Sequence, residues 1–381
     1  MPKRKDGRSA SSHMTDIKPD AATSALRSVH TTSFPTLLNQ LGISLLVSTY
    51  QAGKLIAVRA DGDVINTHFR VFNKPMGMVA SPMRLAIGTA REVHEYFNMP
   101  DVTRRLEPQD KHDACYLPRN THITGDIDIH EMAWGNNGAL WCVNTRFSCL
   151  CTLDTANSFV PRWRPSFVTA LTPEDRCHLN GLDMVDGRPR YVTALGESDT
   201  AQGWRDNKAK GGLLLDLKTN QIVCHGLSMP HSPRWYADQL WVLESGNGSI
   251  ATVDSDSGVL STVTQLPGFT RGLDFYGPFA FIGLSQVRES AMFSGIPIVE
   301  RLEERNCGVW VVNIQTGDIV AFLRFEAAVQ EIFAVQVLPG IRFPEILEPS
   351  DALIASSYTL PDDALADVPA SMTSASKHTK E

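Results

Sequence analysis

Three histidines and several carboxylates stand at recurring points of the sequence, and these residue types are suited to metal binding or proton transfer. His130, His178 and His231 each open or directly precede an apolar segment. Asp128 lies two residues before His130, and Glu331 opens the last segment of this kind. Imidazoles and carboxylates that converge in a fold are common ligands of divalent metal ions. The same groups also serve as general acids and bases.

These residues are positioned by an internal repeat of about fifty residues. Each unit starts with period-two apolar alternation, continues through a short turn, and reaches a second strand rich in Leu, Trp and Val. A further hairpin follows each complete unit. The complete units begin near Pro75, Ile129, Leu179, Pro230 and Thr270. Four strands per fifty residues predict a blade of a β-propeller.

The two ends of the chain supply the remaining blade. The sequence from Ser44 has the pattern of a second, third and fourth strand without a first, whereas Gln330 begins a first strand without the others. We therefore predict an all-β fold, a six-bladed β-propeller in which Gln330–Leu338 pairs with Ser44–Thr49 and the N- and C-terminal strands share one blade. Closing the ring removes exposed sheet edges.

The predicted domain boundaries follow from the repeat. Residues 33–347 form the propeller, residues 1–32 form a disordered lead-in, and residues 348–381 form a disordered tail rich in small and polar residues. Met99–His122 and Val287–Asn306 depart from the repeat. Insertions of this kind are typical of lids or partner surfaces on one face.

The repeat also predicts which residues surround one mouth of the central channel. The first strand of each blade is innermost, and it starts on the face where the antiparallel second strand ends. The first strands start at Met76, His130, Asn180, His231, Arg271 and Glu331. Two residues earlier stand Lys74, Asp128, His178, Met229, Phe269 and Val329. The second strands end at Thr49, Thr89, Asn144, Ala194, Glu244 and Gly283.

The polar members of this ring divide into three sets of candidate site residues. The metal ligands are His130, His178 and His231; the catalytic residues are His130, His231, Glu331 and Arg271; the ligand-binding residues are Asn180, Asn144, Glu244 and Asp128. With a metal bound, Glu331 or Asp128 would act as base on a coordinated water. Without one, His130 or His231 is the general base and Arg271 binds an anion. Structural hydrogen bonds of the histidines, and a salt bridge from Arg271 to Glu331, remain alternatives.

Composition excludes several classes of partner. The chain has 35 Lys and Arg against 42 Asp and Glu, which gives a net charge of −7. This acidity argues against nucleic acid and against anionic membranes. Seven cysteines, an odd number with no Cys-x-x-Cys spacing, indicate reduced and mostly buried thiols. A basic N-terminus without an apolar stretch completes the prediction of a cytoplasmic protein.

Two functional classes stay open at this point. One is a small-ligand or divalent-metal site at the channel mouth, serving a metal-dependent hydrolase or oxidoreductase. The other is a non-catalytic propeller that binds a protein or a ligand. The sequence leaves the cofactor unknown, with a divalent metal ion as the candidate, and does not identify the small molecule or protein partner.

Several segments resemble a known bacterial family. STYQAGKL, DIDIHEMAW, PEDRCHLNGL, SMPHSPRW and LPGFTRGLDF are similar to conserved hypothetical proteins grouped as a domain of unknown function with a propeller-like fold. The resemblance covers nearly all of residues 33–347. It implies the fold and supplies no catalytic residues.

A more distant likeness is to the gluconolactonase and senescence-marker propellers, which hold a divalent ion with Glu, Asn and Asp. Glu331 and Asn180 match two of those types, whereas His130, His231 and Arg271 stand where the Asp is expected. That departure disfavours a calcium site. Two histidines with a carboxylate suit zinc, iron or copper better.

Overall fold

Alternating apolar residues form short strands throughout the part of the chain that the computed structural model describes, which is residues 26–287, residues 294–369 and Met372. The strands of the first half are β1 (Ser28–His30), β2 (Ile43–Thr49), β3 (Lys54–Asp61), β4 (Val64–Val71), β5 (Met78–Ala80), β6 (Arg84–Gly88), β7 (Glu92–Asn98), β8 (Ala114–Ile123), β9 (Ile129–Trp134), β10 (Leu140–Asn144), β11 (Cys149–Thr152), β12 (Val160–Trp163) and β13 (Leu179–Val185).

The second half continues the series after β13. Its strands are β14 (Arg188–Ala194), β15 (Gly212–Asp216), β16 (Gln221–Leu227), β17 (Pro230–Tyr236), β18 (Gln239–Glu244), β19 (Ser249–Val253), β20 (Leu260–Gln265), β21 (Phe269–Tyr276), β22 (Phe279–Ser285), β23 (Cys307–Asn313), β24 (Ile319–Phe325), β25 (Ala334–Pro339) and β26 (Pro344–Ile346). The α-helices of the described residues are α1 (Ser33–Leu41), α2 (Pro297–Arg301) and α3 (Asp362–Leu365). None of these helices is long and apolar enough to span a bilayer.

The strands form six sheets that are the blades of a propeller. Blade 1 contains β5–β8, blade 2 β9–β12, blade 3 β13–β16, blade 4 β17–β20 and blade 5 β21–β24, while blade 6 joins β25 to β2–β4. The innermost strands β5, β9, β13, β17, β21 and β25 each contact the next, and β25 contacts β5. The predicted six-bladed β-propeller is confirmed.

The sixth blade is built from both ends of the chain. Ala334–Pro339 pairs antiparallel with Ile43–Thr49, with Ser44 opposite Leu338. The first strand begins at Ala334 and not at Gln330, because Ile332 is held to blade 5. The hydroxyl of Ser285 donates to the carbonyl of Ile332 and accepts from its amide, both at 3.0 Å.

Two terminal strands add to the blades, and one of them lies beyond the predicted limits of the propeller. Ser28–His30 adds a fifth strand to blade 5, and Pro344–Ile346 pairs in parallel with β8 at the edge of blade 1. The first of these strands lies inside the segment predicted to be a lead-in, so residues 26–32 belong to the fold. The described tail is also packed, since Leu353 and Ile354 contact a buried cluster of blade 1.

A buried carboxylate fixes the last strand. Glu345 pairs with Arg70, lies 2.9 Å from Nε2 of His68, and lies 3.8 Å from Arg59. Burial alone would raise the pKa of Glu345, but these neighbours prevail and lower it. The strand is thereby attached to blade 6 as well as to blade 1. A single Glu in a short segment gives no sequence pattern from which this could be predicted.

Parts of the two predicted insertions belong to the packed fold. Within Met99–His122, residues from Ala114 form the fourth strand of blade 1, so this segment is only partly an insertion. Within Val287–Asn306, Ile296 and Ile298 pack against Trp204 and Phe269. Residues 288–293 of that segment lie outside the described residues.

The apolar core is divided among the blade interfaces. Six clusters of buried side chains each join two neighbouring blades, as in the cluster that packs Val143 of blade 2 against Leu179 of blade 3. All seven cysteines are buried and free. Burial removes apolar surface from water and is the main source of stability in such a fold.

Polar side chains link the innermost strands, which belong to different sheets. A side-chain oxygen of one strand accepts a hydrogen bond from a backbone amide of the next. The pairs are Glu131 with Leu182, Asp183 with Trp235, Asp274 with Val337, and Gln336 with Ala80. Burial raises the pKa of Asp183 to about 6.

Arg234 is the most connected of these linking residues. It pairs with Glu131 of blade 2 and donates to the carbonyls of Leu182 in blade 3 and Leu273 in blade 5, each at 3.1 Å. Buried polar groups are stable only when their hydrogen bonds are satisfied. One side chain of blade 4 therefore ties together three other blades.

Replacing Arg234 by Met should destabilise the propeller by about 3–5 kcal/mol, because it leaves Glu131 buried without its cation. The double variant Arg234→Met/Glu131→Gln should recover at least about 1 kcal/mol of the unfolding free energy, since Gln keeps an acceptor for the Leu182 amide. Urea denaturation measures both. Equal unfolding free energies for the single and double variants would contradict the assigned pairing.

Candidate functional site

The channel opens at one end into a cleft of about 400 Å³. The cleft lies where the first strands start and the second strands end, as the repeat predicts. Its lining includes seven charged side chains, which are Lys74, Arg91, Asp126, Asp128, Arg146, Asp175 and Arg205, and also His178. A volume of this size lies within the range of small-molecule sites.

The cleft wall is built on left-handed backbone. Lys74, Asp128, His178 and Met229 occupy equivalent positions before the first strands and have φ of 53°, 54°, 50° and 47°. Residues other than Gly adopt this conformation at a cost, and it tends to occur at functional sites. Because of this turn, the side chains before each strand do not follow the alternation of the strand itself. Asp128 and His178 therefore line the cleft, while His130 and His231 line a void beneath it.

His178 and Asp175 form a pair in the cleft wall. Nδ1 of His178 lies 3.0 Å from each carboxylate oxygen of Asp175. Nε1 of Trp204 donates to the same carboxylate at 3.0 Å. Trp204 belongs to the loop that follows β14 and is buried, and its ring centroid lies 4.4 Å from that of His178. This pair was not predicted, because Asp175 lies in an irregular segment outside the repeat.

A layer of three side chains separates the cleft from the channel below. The ring of Phe333 contacts His130 at a centroid distance of 5.2 Å, and the guanidinium of Arg271 lies 3.5 Å from the Phe333 ring centroid. The void below is only about 10 Å³, roughly one water molecule. The channel is therefore nearly filled, and the accessible chemistry is at the mouth.

Two of the histidines predicted to be catalytic and metal-binding, His130 and His231, are buried. Burial lowers the pKa of His130 to about 3 and that of His231 well below its usual value. Nδ1 of His130 donates to the Asp128 carbonyl at 3.0 Å, and Nδ1 of His231 donates to the Met229 carbonyl at 2.9 Å. These two rings are neutral and held by the strand that carries them.

Two charged residues of the predicted site lie close to the histidines. Burial would raise the pKa of Asp128, but its neighbours, including the charges of Arg271 and Arg146, outweigh burial and lower the pKa. Burial lowers the pKa of Arg271 to about 10, opposed chiefly by the charge of Glu331. The charge of Glu331 thus affects the pKa of Arg271, and Glu331 is not among the residues that line the cleft.

Three predicted ligand-binding residues serve the fold instead. Asn180 donates to the Pro230 carbonyl and accepts from Thr193. Asn144 accepts from the Phe147 amide, and Glu244 accepts from the Ser228 amide and the Asn247 side chain. Their positions at strand starts and ends were predicted correctly. Their side-chain oxygens, however, accept hydrogen bonds from neighbouring residues of the fold, and none of the three lines the cleft.

The described residues do not converge on a metal site. Across residues 26–287 and 294–369, no group of three or more His, Cys, Asp or Glu side chains is placed to hold a metal ion. His130 and His231 use Nδ1 for backbone carbonyls, and His178 uses it for Asp175. The geometry therefore gives the predicted set of His130, His178 and His231 no support as metal ligands.

Several cleft residues were not predicted as site residues. Arg91 and Arg146 follow second strands by three and two residues, and Gln202 and Arg205 come from the loop after β14. The repeat alignment placed Lys74 at the mouth, so the same alignment extended by two residues would have found Arg91 and Arg146. The loop of Gln202 and Arg205 has no repeat equivalent.

Comparisons with known proteins establish the family and add no activity. A family model described as "Domain of unknown function (DUF4915)" matches residues 32–347. No curated protein matches the chain in sequence, gluconolactonases included. Among solved structures, a chain from "Crystal structure of Nidogen/Laminin Complex" is similar at 8% identity with a TM-score of 0.49, covering 77% of this chain and 98% of that chain.

The buried histidines predict how stability depends on pH. In the unfolded chain, the imidazoles of His130 and His231 take up protons near pH 6.5, whereas in the folded protein they stay neutral, so the folded state loses stability as the pH falls below 6.5. Between pH 7 and pH 5, each of these two histidines should lower the unfolding free energy by about 2 kcal/mol. His130→Gln and His231→Gln should flatten this dependence in urea titrations, and His225→Gln, at an exposed site, should not. Identical slopes in all three variants would contradict the assignment.

Proposed function

The chain belongs to the family of domains of unknown function DUF4915, and from that premise we propose that it binds a small organic anion in the cleft at the channel mouth. The observation that carries the proposal is the convergence of Lys74, Arg91 and Arg205 on the cleft. Among the described residues, none of these three cations has a carboxylate ion-pair partner.

The acidic residues of the cleft are fewer than its basic residues, with three Asp against Lys74, Arg91, Arg146 and Arg205, and none of these Asp pairs with Lys74, Arg91 or Arg205. Asp126 pairs with Arg146 at 2.6 Å, and Asp175 is occupied by His178 and Trp204. Asp128 lies among His130, His178 and Arg271. The chain as a whole is acidic, at −7, so a cleft with three unpaired cations attracts an anionic ligand.

Aromatic rings hold two of the cations in place. The ammonium of Lys74 lies 5.5 Å from the Tyr50 ring centroid, and the guanidinium of Arg205 lies 4.5 Å from that of Trp204. Nε of Arg205 also donates to Gln202 at 3.0 Å. Side chains held before binding lose less entropy on binding, which favours affinity. A carboxylate or phosphate is the group that such cations recognise.

The alternative of a non-catalytic protein scaffold is less well supported. A scaffold would present an apolar surface on a blade or on Val287–Asn306. In the described part of that segment, Ile296 and Ile298 are fully buried and face Trp204. The polar cleft is the better candidate for the ligand site, and a hydrolase or oxidoreductase that uses a metal is not proposed.

Isothermal titration calorimetry with citrate and with inorganic phosphate tests the proposal. The double variant Lys74→Gln/Arg91→Gln should bind the preferred anion about tenfold more weakly, because each exposed ion pair contributes up to about 1 kcal/mol. Raising the salt concentration should weaken binding to the wild type as well.

Arg188→Gln is the matched control, since Arg188 is exposed on a hairpin outside the cleft lining. It should bind like the wild type. Absence of binding of both anions to the wild type, or equal affinity of the double variant, would overturn the proposal.

A further inference from the structure

We infer that the cleft is catalytic, that His178 is its general base, and that Asp175 and Trp204 are positioning residues. This inference rests on the proposed binding of an anion in the same cleft. The observation behind it is that a carboxylate fixes one nitrogen of an imidazole while the other nitrogen is left without a protein partner.

The hydrogen bonds of Asp175 determine the tautomer of His178. A carboxylate only accepts hydrogen bonds, so Nδ1 of His178 must carry the proton directed at Asp175. In the neutral ring, Nε2 then carries the lone pair. Among the described residues, Nε2 of His178 has no hydrogen-bond partner, while the ring lines the cleft.

The imidazole is also fixed in orientation. Its ring lies between Trp204, at a centroid distance of 4.4 Å, and the edge of His130, at 4.7 Å. The Trp204 indole donates to Asp175, which fixes the carboxylate in turn. Both Asp175 and His178 have φ of 50°. A proton acceptor held at a fixed position is what general base catalysis requires.

His178 differs from the other two histidines of the predicted site. His130 and His231 are buried, donate Nδ1–H to their own backbone, and line the narrow void. The His178 side chain keeps 13% exposure and borders the open cleft. It is therefore the histidine of this set that a bound molecule contacts.

The same geometry indicates the substrate class, which is a small organic anion that carries a hydroxyl group. The cations of the cleft bind its carboxylate or phosphate, and ionised Asp128 offers an acceptor for a hydroxyl proton beside His178. Nε2 takes the proton of the O–H group, so the O–H bond breaks, the N–H bond forms and the electron pair of the O–H bond stays on the oxygen. Asp175 stabilises the imidazolium formed, and in the reverse step Nε2 returns the proton to the same oxygen.

Modification by diethylpyrocarbonate, followed by mass spectrometry, tests the inference on the full chain. His178 should react at Nε2, and Asp175→Asn should slow this reaction at least fivefold, since the ring loses its anionic partner. Asp126→Asn is the matched control, because Asp126 lies in the same cleft and pairs with Arg146. His225, exposed elsewhere, should react equally in all variants.

Citrate, a hydroxylated tricarboxylate, should protect His178 in the wild type, and tricarballylate, which lacks the hydroxyl, should protect it less. An unreactive His178, equal rates in Asp175→Asn and the wild type, or protection by both anions to the same measurable extent would overturn the inference. Loss of protection by both anions, with reactivity that still depends on Asp175, would instead overturn the proposed anion binding and leave the assignment of His178 standing.

Discussion

The propeller depends on how its innermost strands are held to one another, because they belong to different sheets. Hydroxyl groups at or just beyond the ends of second strands donate across this gap to the carbonyl of the next inner segment. The pairs are Ser48 with Met76, Thr145 with Leu179, Ser245 with Thr270, and Ser285 with Ile332. Together with the pairing of Arg234 and Glu131, these bonds join the inner segments of neighbouring blades.

The functional cleft follows from this constraint. Since the start of each inner strand is fixed to its neighbour, the residues just before it turn through left-handed backbone to reach the mouth, as at Lys74 and His178. The channel beneath is closed by Phe333, His130 and Arg271. Charged groups from the turns before the inner strands and from the loop after β14 are thereby brought together at the mouth.

Much of this architecture could be predicted from the sequence, because the repeat is a property of apolar spacing. The repeat predicted the number of blades and placed His178 and Asp128 at the mouth of the channel. It also selected Asn144, Asn180 and Glu244, whose side chains bond to the fold, because a polar residue at a strand end can serve a turn as well as a ligand. The strand at Pro344–Ile346 and the contact of Asp175 with His178 depend on tertiary packing, for which residue spacing contains no information.

The central claim is that cations and an oriented imidazole meet at the channel mouth to receive a hydroxylated anion. A crystal structure of the protein with citrate tests it most directly. The account predicts citrate in the cleft, with carboxylates on Lys74 and Arg91 and its hydroxyl within hydrogen-bonding distance of Nε2 of His178. Citrate bound elsewhere on the propeller, or a cleft filled by its own side chains in the presence of saturating citrate, would contradict it.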